Sequence, residues 1–314
     1  FALGRWNPGT NVFVINFGQD GTFAGNVTAG GNADDNDIGN FKYDVPAGFL
    51  ALCTKNIPDC AVTPSEHFGI MLTDEGAGAR TFASHGIPAG ARFAPEMVWF
   101  KTRGQGSTWG TPRMCDVMLG PQIALTPNLS SAFGADSTGL TSFDADGFTV
   151  GSDVRYCHTA GDGMVIWNWK LGGTPTATNT AGAGNIPDAG SVKIDGVNKS
   201  DALLGTRPIT KLSVNTEAGM SVGYFTGNQT ANQTFPHGLS KAPELVVVKN
   251  KDAADGWWVG SLQLLASMDF TDYIIRNTTG VKADHYSAWQ DLNPTATLVS
   301  VGVQGQTNIA GPNR

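Results

Sequence analysis

The side chains that could do chemistry are few and scattered. Five histidines stand at positions 67, 85, 158, 237 and 285, at spacings that build neither a metal-binding helix nor a catalytic relay. Cys53, Cys60, Cys115 and Cys157 contain no C-x-x-C pair, and Cys53 and Cys60 are too loosely spaced for a zinc knuckle. They read as buried free thiols, with a Cys53–Cys60 bridge as the alternative. A nucleophile elbow, a P-loop and a dinucleotide fingerprint are all missing from the sequence. Two carboxylates placed for glycoside hydrolysis would leave no mark in sequence, and no Asp or Glu stands in a context that singles it out.

Two groups of residues remain as binding candidates. The loop Asn32-Ala33-Asp34-Asp35-Asn36-Asp37 brings Asp34, Asp35 and Asp37 close together, and calcium sites want several such oxygens. The loop lacks EF-hand spacing and its terminal Glu; calcium is the one cofactor it suggests. Asp144-Ala145-Asp146-Gly147 reads as a hairpin turn ahead of a calcium loop. Aromatic residues gather at Trp257-Trp258, His285-Tyr286 and Trp289. On loops such rings stack on sugars or anchor protein contacts; the plainer alternative is that they close the ends of a core. Trp167 and Trp169 alternate within one strand and are read as core.

These candidates must be held by strands. Only 15% of residues are charged, against roughly 25% in an average soluble protein, and Gly, Thr, Asn and Ser fill the segments between short apolar runs. That composition predicts an all-β fold with many turns, suited to packing inside a larger assembly. A net charge of −7 offers no basic stripe for nucleic acid. No apolar run approaches the roughly 20 residues that span a bilayer, so membrane insertion is not expected. Asn-x-Ser/Thr sequons at Asn26, Asn128, Asn198, Asn228, Asn232 and Asn277 are what chance provides in a chain this rich in Asn and Thr.

One pattern occurs twice. His85-Gly86 is followed by Ala94-Pro95-Glu96, four apolar residues and Lys101. His237-Gly238 is followed by Ala242-Pro243-Glu244, four apolar residues and Lys249. The histidines lie 152 positions apart (237 − 85) and the prolines 148 (243 − 95), so the first version has a longer loop. Gly permits positive φ and Pro suits the first residue of a strand. Met97–Phe100 and Leu245–Val248 read as strands covered on both faces, with Glu96 and Glu244 in solvent. A duplicated position is more easily explained by shared architecture than by two active sites. The expected organisation is a C-terminal remnant of a sandwich at 1–60, repeat A at 65–171, an extended linker at 172–213 and repeat B at 214–314. Asn11–Gly18 is expected as a strand of the remnant. Repeat B is expected to be cut short, because nothing like the Trp167/Trp169 strand follows Val303.

Several of these stretches resemble a known family. Gly172-Gly173-Thr174-Pro175-Thr176-Ala177-Thr178-Asn179 followed by Ser191-Val192-Lys193-Ile194-Asp195-Gly196 resembles a linker in tail-fibre-like structural proteins of tailed, especially marine, bacteriophages. Leu140–Gly151 and the His-Gly…Ala-Pro-Glu stretches look like the repeated β-domain of those proteins. Val14–Gly18 with Val45–Cys53 resembles the end of their SPRY-like, lectin-like sandwich. The resemblance implies tandem β-sandwiches, a location in the virion, and a non-enzymatic tail-fibre or adhesin role in host attachment. The implied partners are other virion proteins, a homo-oligomer with a trimer favoured, and a host-surface glycan or protein. The alternatives are a capsid-bound decoration protein and a polysaccharide-binding or polysaccharide-degrading tail protein.

Overall fold

Period-two alternation of apolar and polar residues sets most of the elements. A computed structural model describes residues 15–58, 61–74, 76, 78–83, 92–104, 110–157, 163–265 and 267–310. The chain divides into two units, Phe1–Ala61 and Val62–Arg314.

In the first unit the described residues form turns rather than strands. Asn32 and Phe41 make an isolated bridge, and a 3-10 turn covers Thr54–Asn56. The expected strand at Asn11–Gly18 is not seen in its described part, Ile15–Gly18, and Asn11–Val14 lie outside the described residues. Asn16 Oδ1 instead accepts the Gly18 N–H at 2.7 Å, a local side-chain bond that competes with a ladder.

The second unit begins with a two-sheet sandwich. Its strands are β1 (Phe68–Thr73), β2 (Arg80–Ala83), β3 (Met97–Thr102), β4 (Arg113–Asp116), β5 (Ile123–Ala124), β6 (Gly134–Ala135), β7 (Leu140–Asp144), β8 (Gly147–Val150) and β9 (Met164–Trp169). One sheet runs β1-β9-β3-β4 and the other β2-β8-β7. Between them lie Val98 and Phe100 of β3, Cys115 of β4, Met164 and Ile166 of β9, Phe82 of β2, Leu140 of β7, and Phe148 and Val150 of β8. Side chains from both inner faces thus make one core. Asp144 and Gly147 pair across the two-residue turn of the β7–β8 hairpin. The Asp144 carboxylate accepts bonds from Ser142 and Thr149 hydroxyls, so this turn is the hairpin expected.

The segment expected as an extended linker is folded onto its own chain. It carries β10 (Val192–Ile194) and β11 (Val197–Asn198), and β10 pairs in parallel with β12 (Ile209–Asn215). β12 pairs with β13 (Met220–Phe225), giving the sheet β11-β10-β12-β13. Gly172 allows this docking, because a Cβ there would stand 1.9 Å from the Val214 carbonyl oxygen. Val192 supplies one apolar anchor in a cluster with Leu203, Leu212, Val214 and Phe225. A linker with few apolar residues can still be held when some of them, here Val192, Leu203, Ile209 and Leu212, are buried.

A second sandwich follows: β14 (Gln233–Pro236), β15 (Leu245–Val248), β16 (Trp258–Ser261), β17 (Asp272–Ile275), β18 (Ala283–Asp284), helical turn α1 (Tyr286–Trp289), β19 (Leu298–Val301) and helical turn α2 (Gly305–Asn308). β14 pairs with β19 as β2 pairs with β8. The run β15-β16-β17-β18 repeats β3-β4-β5-β6 in order: β4 touches β5 through the Met114–Leu125 bridge, and β16 pairs with β17. Val246, Trp258, Phe270, Trp289, Val299 and Val301 fill the interior.

Candidate functional site

The alternation of β9 places Met164, Ile166 and Asn168 in the interior and Val165, Trp167 and Trp169 on the outer face. Of the two tryptophans expected in the core, Trp167 is therefore a half-buried side chain of the outer face, whereas Trp169 packs against a further buried cluster of Met97, Met118, Leu171 and Tyr224. Register puts Ile70, Trp167 and Trp99 in one row across β1, β9 and β3. The Trp99 and Trp167 rings tilt against each other with centroids 5.6 Å apart, and Phe68 tilts on Trp169 at 5.2 Å. Ile70 is 49% exposed and Leu72 63%, an apolar margin left open to solvent.

The other margin is polar. Arg276, just after β17, sets its guanidinium 4.7 Å from the Trp99 ring centroid, within range of a cation–π attraction. Its Nη1 donates to the Pro127 carbonyl at 2.6 Å. Partial burial lowers the Arg276 pKa from its ordinary value, and the group stays a cation at neutral pH. Arg276 also borders an open cleft of about 390 Å³ lined by Pro127, Asn128, Asn277, Thr278 and Thr279. The Trp99 indole N–H has no acceptor among the described residues. Aromatic faces, one cation and several amides and hydroxyls thus adjoin, the combination that stacks on and hydrogen-bonds a polyhydroxylated ring.

The residues nominated from sequence fare differently. Trp257, Trp258 and Trp289 are buried, which removes them from any surface platform. Trp257 donates its Nε1–H to the Leu129 carbonyl at 3.0 Å, Trp258 stacks on Tyr273 at 4.1 Å, and Trp289 meets Phe270 edge-on. His285 is half-buried against the Trp258 and Tyr273 rings, and Tyr286 alone is exposed. Trp258 and Trp289 are part of the second core. Sequence spacing missed Trp99 and Arg276, which come together only through tertiary packing.

Asp34 is a structural acceptor. Its carboxylate takes N–H bonds from Ala51, Ile38 and Asn36 and one from the Asn56 amide. Asp35 accepts the Gly48 N–H, and Asp37 takes φ +58° in the turn. No three His, Cys, Asp or Glu side chains among the described residues gather as a metal cage. Cys53, Cys115 and Cys157 are free thiols, with Cys115 and Cys157 buried; Cys60 lies outside the described residues.

Where it is described, most of the doubled motif is engaged in internal packing. His85 and Gly86 lie outside the described residues, and Pro95 is buried just before β3. Glu96, expected in solvent, is buried, and its carboxylate accepts the Leu171 N–H at 2.7 Å. His237 is buried; its Nδ1 accepts the Leu239 N–H and its Nε2 faces the Thr295 carbonyl. Burial depresses its pKa, which keeps it neutral. Gly238 takes φ +73° against Val214, Pro243 is half-buried, and Glu244 is exposed. Among the described residues the Asp136 and Asp153 carboxyls interact, and both are ion-paired with Arg155. Burial raises Asp136, whereas Asp153 falls because bonds from Arg155 outweigh its own burial.

The chain matches a family model described as a domain of unknown function (DUF7483) over residues 63–195 and 205–313. It belongs to that family. Comparison with curated proteins found no match, and comparison with solved structures found none.

Proposed function

We propose that this member of the DUF7483 family is a non-enzymatic adhesive subunit of a bacteriophage particle, tail-fibre-like, that binds host-surface glycan. The row Ile70–Trp167–Trp99 under Arg276, beside the amide- and hydroxyl-lined cleft, carries the reading. Large aromatic faces left half-open on a rigid sheet offer preorganised stacking area at little entropic cost. The low charge and the resemblance to phage fibre proteins support the virion setting. The Asp136–Asp153 pair is held by Arg155, which favours binding over glycoside cleavage.

The test is binding to polysaccharides extracted from candidate bacterial hosts, read by calorimetry and by tryptophan fluorescence. Trp167→Ala is expected to weaken binding at least tenfold while thermal unfolding shows a folded protein. Wild-type affinity in both Trp167→Ala and Trp99→Ala overturns the assignment of this face. Release of new reducing or unsaturated ends from the polysaccharide overturns the non-enzymatic part.

A further inference from the structure

In the first sandwich β9 is the central strand, paired antiparallel with both β1 and β3. Glu96 fastens its end: the Glu96 N–H donates to the Trp169 carbonyl at 2.8 Å, and the carboxylate receives the Leu171 N–H. In the second sandwich β13 and β15 stand in the places of β1 and β3. β15 follows Ala-Pro-Glu as β3 does, and β13 precedes the β14–β19 pair as β1 precedes the β2–β8 pair. Yet β13 pairs with β12 alone and β15 with β16 alone. No strand among the described residues joins them.

Three independent features mark an opening one strand wide. The interior is split into two clusters that share Phe235 at their edges, whereas β9 contributes Met164 and Ile166 to a single cluster in the first sandwich. Glu244 is exposed where Glu96 is buried. Leu245 is 53% exposed where its counterpart Met97 is 7% exposed. Two flanking edges with free backbone groups accept an added strand by β-augmentation.

The sequence names an occupant. Val12-Phe13-Val14-Ile15-Asn16-Phe17 repeats the pattern of Met164-Val165-Ile166-Trp167-Asn168-Trp169: four apolar residues, Asn, then an aromatic. Where this segment is described, Ile15 and Phe17 are exposed and no strand holds them; two long-range bonds, Leu52 N–H to the Phe17 carbonyl at 2.9 Å and the Asn16 amide to the Asn40 carbonyl at 2.8 Å, are what insertion must exchange. We infer that Val12–Phe17 of one copy inserts between β13 and β15 of a second copy and closes its second sandwich. By the β9 register, Phe17 lies opposite Leu245 and Ile15 opposite Val247. The exchange closes as a two-fold dimer where it is reciprocal, and builds a ring or a head-to-tail filament where it is not. It is independent of the glycan face.

Light scattering of the full chain across a dilution series tests the inference, together with an Ile15→Cys, Val247→Cys variant. Assemblies larger than a monomer are expected, and Val14→Lys, a change outside the receiving sandwich, should weaken association at least tenfold. Oxidation of the double-cysteine variant should give disulfide-linked dimers, or a ladder of higher species where the exchange is not reciprocal, on a denaturing gel. A chain that stays monomeric overturns the inference, as does an intrachain disulfide, which would mean the segment closes its own sandwich. An oligomer indifferent to Val14→Lys overturns it as well.

Discussion

Removing the same side chain from the two versions of the repeated motif should give unequal results. Glu96→Ala deletes the acceptor of the Leu171 N–H, bonded at 2.7 Å, and of the Gly173 backbone that also favours its charged form. Hydrogen bonds to a charged group contribute about 1.5–3 kcal/mol each, and a buried N–H left without a partner costs about 1–3 kcal/mol. Against this stands burial, which is the largest influence on Glu96 and raises its pKa despite those donors and Lys170. Relief of that strain returns part of the loss, so the net cost should be about 2–3 kcal/mol. Glu244→Ala touches an exposed side chain and should stay within about 0.5 kcal/mol. Urea titrations followed by tryptophan fluorescence read both variants. Equal midpoints for the two would refute the view that Glu96 is a clasp for β9. The pH dependence gives a second check. A carboxyl raised on folding contributes stability that is present below its ordinary range and is lost as pH rises through the folded value. Wild type should therefore lose stability relative to Glu96→Gln as pH is raised from acid to neutral.

Two other predictions concern buried or saturated acids. Tyr224 donates its hydroxyl to Asp116 at 2.7 Å, with Met118 and Leu119 N–H groups on the same carboxylate. Burial raises both side chains, and Tyr224→Phe should lower stability by about 1.5–3 kcal/mol at an unchanged urea slope; an unshifted midpoint contradicts it. In the first unit, burial acts to raise Asp34, but the N–H donors of Ala51, Ile38, Asn56 and Asn36 together outweigh it and bring its pKa to about 2. A depressed carboxyl stabilises above its ordinary value near 3.8 and ceases to do so as pH falls toward 2. Exchange of the Ile38 and Ala51 amides, relative to intrinsic rates, should accelerate across that window and ignore added chelator. A chelator effect at neutral pH would instead make the loop a calcium site.

Strand positions were legible in the sequence wherever local pattern and burial agree. β3, β9 and β15 lie where alternation or apolar runs put them. The faces of those strands were not legible. Trp167 and Trp169 look like interior residues by type, but parity decides: Met164 and Ile166 already fill the interior side of β9, so the tryptophans turn to the other face, where Trp167 stays half-open and Trp169 joins the cluster of Met97, Met118, Leu171 and Tyr224. Residue type misleads for β15 in the same way. Its four apolar residues predict two covered faces, whereas alternate positions, Leu245 and Val247, are exposed. Lys193 and Ile194 in β10 lie in a segment too poor in apolar residues to signal a strand; pairing with β12 supplies what propensity does not.

The candidate site shows the limit more sharply. Trp99 and Arg276 are 177 positions apart (276 − 99), and neither has a neighbour in sequence that hints at the other. Their contact follows from the way the two sandwiches pack. Trp257 reaches the Leu129 carbonyl and Arg276 the Pro127 carbonyl, so the adjoining ends of β16 and β17 fasten the second sheet to the 127–129 loop of the first sandwich. A buried tryptophan nominated for binding and a surface arginine that no pattern flagged thus share one anchor. Trp257→Phe keeps the ring volume largely in place but removes the Nε1 donor. It should loosen Arg276 over Trp99 and weaken the proposed glycan binding, read by the same calorimetry, without altering the Trp99–Trp167 row itself, because that cluster is assembled by the junction and not by any single motif.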